Sequence, residues 1–202
     1  MNKPEINYFF DIDKFEKNND GGEWNFTLSN GTQVRQFKTN NGFVVETTPP
    51  NSAYVYSSGY NEKGEITITG VRFYDNGVKK WIYFNDKQEI IKEIDNDQPY
   101  LFSIEALAKL LKENYGIDLY DTTQISMMSR YVDTENLHKP IYIINANQKN
   151  NLINDLNCFL IDGETGKVLF QMETYLLSES SVYDEYIKTT EEYKNGTYKL
   201  EN

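Results

Sequence analysis

Two side chains in this 202-residue chain have the chemistry of a catalytic pair, His138 and Cys158, and each residue type occurs once. The imidazole lies in the polar stretch "ENLHKPIY", where it could serve as a general base beside a nucleophile. Cys158 alternates with Phe159 in the apolar run "LNCFLID", a setting in which a thiol is ordinarily buried and inert. A Cys–His pair would need these two to converge in the fold, and no serine stands out as a substitute nucleophile. His138 reads as a surface histidine. A single cysteine also excludes an internal disulfide and a zinc cluster built on thiolates.

The carboxylates are numerous, 31 Asp and Glu against 20 Lys and Arg, so close pairs arise without a catalytic reason. Asp11 and Asp13 in "DID", and Asp95 and Asp97 in "DND", have the outline of metal loops. Neither has the glycine at the sixth position or the glutamate at the twelfth that an EF-hand loop uses. Turn and cap chemistry explains both. "NNDGGEW" has paired glycines but lacks the Lys-Ser/Thr that completes a phosphate-binding loop. The sequence gives catalysis no positive support, and no cofactor or metal is expected.

The aromatics are the richer signal, with 16 Tyr, 11 Phe and 2 Trp. In "VKKWIYF", Trp81 and Tyr83 share one strand face while Val78, Ile82 and Phe84 share the other. Trp and Tyr are favoured anchors at protein interfaces. The acidic stretches "DNDQ", with Asp95 and Asp97, and "YDEYIKTTEEY", with Asp184 and Glu185, would form a rim that steers a basic partner. The formal charge of −11 argues against nucleic acid, whose phosphates need a cationic surface. It suits a soluble protein that repels its own copies, hence a monomer when free. "MNKPEINYFFDIDKF" is no secretory signal, and no segment approaches the ~18 apolar residues of a membrane span. A cytoplasmic protein without membrane contact is the expectation.

The elements that must position these residues fall into two groups. Up to residue 98 the chain reads as β-hairpins: "EWNFTL", "TQVRQF", "GFVVETT", "AYVYSSGY", "EITITGVRFY", "VKKWIYF" and "EIIKEI". Turn signals separate them, including "SNGT", "KTNNG", "NEKG" and "NDKQ", with Asn-Gly supplying the positive φ that tight hairpins need. "TPPNS" interrupts the ladder because proline cannot donate to it. Asn25, Asn30 and Asn195 sit in Asn-x-Ser/Thr triplets and read as turn chemistry. From residue 99 the texture changes. "SIEALAKLLKENYG" places Ile104, Leu107, Leu110 and Leu111 on one helical stripe, with Ser103 as N-cap and Gly116 at the stop. Four strands follow, "QISMMSRYV", "PIYIINA", "LNCFLID" and "KVLFQMETYL", the last two around the turn "GETG". A final acidic helix places Val182, Tyr186 and Tyr193 on one side. The expected fold class is α+β: antiparallel hairpins over 1–98, then a helix packed on a small antiparallel β-meander over 99–202, as two packed subdomains.

The stretch "NG-V-K-K-W-I-Y-F-N-D-K-Q-E-I-I-K-E" resembles the variant MORN repeat, a hairpin unit close to "G-x-W-x-Y-Y-D-x-x-G-x-L-I-K-E". Trp81, Tyr83, Phe84, Asn85, Ile91, Lys92 and Glu93 match its positions, the glycine after the turn is absent with Gln88 in its neighbourhood, and "GYNEKGEI" is a partial second copy. Over residues 30 to 172 the order of elements is similar to bacterial immunity-type proteins, which pair with toxins delivered by type VI or contact-dependent secretion. "IDGETGKVL" resembles the hairpin of PepSY-like modules. Membership of the immunity group implies a cognate effector toxin as partner and no substrate. On that reading Trp81, Tyr83, Asp95, Asp97, Asp184 and Glu185 are the candidate contact residues. The alternative is a MORN-like or PepSY-like module that binds a lipid, peptide or scaffold protein.

Overall fold

The structure, a computed structural model, describes residues 7–148, 155–175 and 180–195, without the side chains of 192 and 193. The chain divides into two compact units, Met1–Asp97 and Gln98–Asn202. It is an α+β protein of eleven strands in two antiparallel sheets, with four described helices.

The first unit is a seven-stranded meander in sequence order: β1 (Glu23–Thr27), β2 (Gln33–Thr39), β3 (Gly42–Thr48), β4 (Tyr54–Tyr60), β5 (Ile66–Phe73), β6 (Asn76–Phe84) and β7 (Ile90–Asp95). Every connection is a hairpin, which explains why turn residues dominate this half. The β4–β5 and β6–β7 turns are built alike. Asn61 Oδ1 accepts from the N–H groups of Lys63 and Glu65, and its amide donates to the Glu65 carboxylate. Asn85 repeats all three bonds with Lys87 and Glu89. The left-handed position is Gly64 in one turn and Gln88 in the other, at φ 78° and 61°. The β5–β6 turn falls on Tyr74 and Asp75, two residues before the Asn76-Gly77 pair that opens β6.

One face of this sheet is closed by a helix that the sequence reading misses, α1 (Ile12–Asn18). Asp11 is its N-cap, accepting from the Lys14 N–H at 3.0 Å, so "DID" is cap chemistry. At seven residues the helix is too short to show a periodic stripe, and Phe15 alone among its residues is buried. Phe15 packs with Phe10, Phe43, Tyr60, Ile66, Ile82 and Phe84, and the Phe10 and Phe43 rings stack at 4.6 Å. Val78, Ile82 and Phe84 all point into this side and are buried, as alternation along "VKKWIYF" requires.

The second unit is a four-stranded sheet in the order β11 (Val168–Tyr175), β10 (Asp155–Asp162), β9 (Lys139–Asn147), β8 (Ile125–Asp133). The helix α2 (Ile104–Tyr115) starts at Ser103, whose hydroxyl accepts from the Ala106 N–H at 3.2 Å, and stops at Gly116 with φ 68°. Its buried stripe is Ile104, Leu107, Ala108 and Leu111, with Leu110 half-buried at the margin. Tyr115 meets Phe159 of β10 edge to face at 4.7 Å. The opposite face, carrying Ile141, Ile143, Leu156, Cys158 and Leu160, is covered by α3 (Val182–Thr189) through Val182, Tyr183 and Tyr186. Helices on both faces explain why "PIYIINA" and "LNCFLID" are nearly continuous apolar runs. The acidic tail forms α3 and the single turn α4 (Glu191–Lys194), separated at Thr190. The side chain of Tyr193 lies outside the described residues.

Candidate protein-binding surface

In the seven-stranded sheet, the face opposite α1 has no described element of its own unit packed on it. The register carries side chains across it in rows. Phe37, Val44, Gly59, Ile68, Tyr83 and Lys92 are successive neighbours from β2 to β7, and the next row runs Arg35, Glu46, Ser57 and Gly70. Phe37, Val44, Ile68, Trp81 and Tyr83 are half-buried. They form a low apolar stripe flanked by charge.

Arginines and glutamates of the next row flank the stripe. Arg35 donates to Glu23 through two nitrogens, at 3.1 and 2.8 Å, and lies 3.5 Å from Glu46. Arg72 pairs with the other Glu46 oxygen and reaches Asp75 at 3.8 Å. The result is a Glu23–Arg35–Glu46–Arg72–Asp75 ladder across four strands. Isolated surface pairs contribute little, but a bidentate network orders its members. The Arg35 hydrogen bonds, with help from Asn25, hold the Glu23 carboxyl down to about 2, and Glu23 in turn raises Arg35. The Arg35 guanidinium also sits 4.4 Å above the Phe37 ring, and Lys92 Nζ lies 5.5 Å from the centre of Tyr83. Beside the ladder is a shallow groove of about 450 Å³ whose lining includes Asn25, Gln33, Arg35, Glu46, Thr48 and Val55.

Trp81 and Tyr83 share this face, opposite Ile94 and Lys92 of β7. Trp81 donates its indole N–H to the Val71 carbonyl at 3.0 Å. Asp95 pairs with Lys80 one residue beyond Ile94, so it points to the other side of the sheet. Its carboxylate accepts the Asp97 N–H at 3.1 Å, as an Asx turn. The structure therefore joins Trp81 to Tyr83 and separates Asp95 from both. Asp184 and Glu185 belong to the second unit. Asp184 closes a capping box with Ser181, and Glu185 pairs with Lys188 at 2.7 Å.

Phe37 and the Arg35–Glu46–Arg72 ladder escaped the sequence reading. The Asn40-Asn41 turn sets Thr39 opposite Gly42, which places Arg35 opposite Glu46, so the signal was a cross-strand charge pair.

The second unit also has two buried carboxylates that the sequence did not single out, Asp133 and Asp162. They are built alike. Asp133 accepts from the N–H groups of Glu135, Asn136 and Leu137 and from the Tyr183 hydroxyl. Asp162 accepts from the Glu164 and Thr165 N–H groups and from Lys139 at 2.8 Å. Burial works to raise both carboxyls, and these hydrogen bonds outweigh it and leave both lowered. Asp133 thereby ties α3 to the β8–β9 turn. Both close turns, and each follows an apolar strand end.

The Cys–His pair does not form. Cys158 is buried, and burial pushes its thiol up to about 11. His138 is exposed in the β8–β9 turn, seven residues along from Asn145, the neighbour of Cys158. At ~3.3 Å per strand residue they are roughly 20 Å apart. Among the described residues, no three His, Cys, Asp or Glu side chains gather as a metal site, and no helix is long and apolar enough to cross a membrane. Comparison with protein-family models, with curated proteins and with solved structures finds no match to this chain.

Proposed function

We propose that this chain is an immunity protein that neutralises a secreted effector toxin, delivered by a type VI or contact-dependent system, by covering the toxin's active site. The observation that carries the reading is the face of the seven-stranded sheet opposite α1, an apolar stripe flanked by an ion-pair ladder, with the Arg35 guanidinium over the Phe37 ring. Preorganised aromatic side chains lose little entropy on binding and make strong anchors. The negative charge of the chain favours a basic partner and speeds its encounter. Within the face, Phe37 and Tyr83 are the anchors, with Trp81 as a fixed neighbour. Asp95 and Asp97 belong to the turn and contribute long-range charge.

The test is co-expression with the product of the neighbouring gene. Survival of cells that otherwise die, and co-purification of the two proteins, is the expected result. Recovery of only membrane lipid or a housekeeping protein would sink the toxin reading and favour a MORN-like scaffold, for which the paired Asn61 and Asn85 turns are the supporting observation. In a complex, replacing both Phe37 and Tyr83 by Ala should weaken binding by at least about tenfold. Unchanged affinity in a folded variant would place the contact elsewhere.

A further inference from the structure

We draw no further inference here: the strongest candidate, the side-chain cluster of Tyr131, Tyr183, Asp133 and Asp184 where α3 meets the β8–β9 turn, carries nothing because its carboxylates are taken up by that turn and by the capping box of α3, and among the described residues no further group points to a ligand there.

Discussion

Trp81 lies flat on Gly70. A methyl group added at Gly70 would come within 2.4 to 2.6 Å of Cδ2, Cε2 and Cγ of the indole, while Nε1 reaches the Val71 carbonyl. The β5–β6 register shifts between Thr69 and Val71, and Lys79 takes a φ of 55° there. That irregularity opens the space which the indole fills. Gly70→Ala must therefore displace the ring, and overpacking of this kind costs about 1–3 kcal/mol. Urea unfolding followed by tryptophan fluorescence should show a lower midpoint and an altered native emission. A native spectrum with an unmoved midpoint would mean that the ring is not held against Gly70. Trp81 is consequently a poor residue for testing binding alone, because its removal also empties this seat.

The twin turns allow a prediction with the opposite sign. Gln88 sits at φ 61° where Gly64 sits at 78°, with the same hydrogen bonds around each. A side chain in the left-handed region costs about 1–2 kcal/mol, partly offset by the larger entropy that glycine loses on folding. Gln88→Gly should raise stability by roughly 0.5–1 kcal/mol, and Gly64→Gln should lower it. Gly64 adds a second penalty, because a Cβ there would lie 2.8 Å from the Phe10 carbonyl oxygen. Thermal melts of both variants decide the matter. Equal and unchanged midpoints would refute the equivalence of the turns.

Stability should also fall in acid, for a reason located in the second unit. Asp133 and Asp162 have folded-state carboxyls below their ordinary value because backbone N–H groups, Tyr183 and Lys139 outweigh the effect of burial. A depressed folded pKa contributes stability above the unfolded value, near 3.9, and loses it as pH falls through the folded value. Unfolding free energy should thus be flat near neutrality and decline below about pH 4. Asp133→Asn retains the shape, weakens four accepted hydrogen bonds, and should cost about 1–3 kcal/mol at pH 7. The same variant should show a shallower acid limb. An acid limb as steep as that of the parent would assign the titration to other groups.

Much of the fold was legible because its signals are local. Asn-Gly and Asn-x-Lys turns marked the hairpins, Ser103 and Gly116 marked the ends of α2, and alternation sorted Val78, Ile82 and Phe84 from Trp81 and Tyr83. The misses have a common cause in short range or long distance. α1 is too brief for periodicity, and its helical role depends on Phe15 reaching Phe43, 28 positions away. The β5–β6 turn falls on Tyr74-Asp75, with Phe73 opposite Asn76, a position that none of the named turn signals marked. Asp95 was grouped with Trp81 by nearness in sequence, although one residue of strand turns a side chain to the other face. The ion ladder needed four strands in register before its members met.

The thiol of Cys158 gives a readout of how firmly α3 is seated. It lies under α3 with Leu160, Ile141 and Val182, and burial pushes it up to about 11. The thiolate is the reactive form, so a disulfide reagent at pH 8 should label it only through opening of the helix. α3 is held by the Ser181–Asp184 capping box and by the Tyr183 hydroxyl on Asp133 at 2.8 Å. Removing an N-cap hydroxyl costs about 1 kcal/mol. If local opening limits labelling, Ser181→Ala should therefore speed it about fivefold while global unfolding changes little. Tyr183→Phe should act in the same direction by freeing α3 from the β8–β9 turn. Gly70→Ala, in the other unit, should leave the labelling rate as it is. Fast labelling of the unmodified chain at pH 8 would contradict a thiol sealed beneath α3.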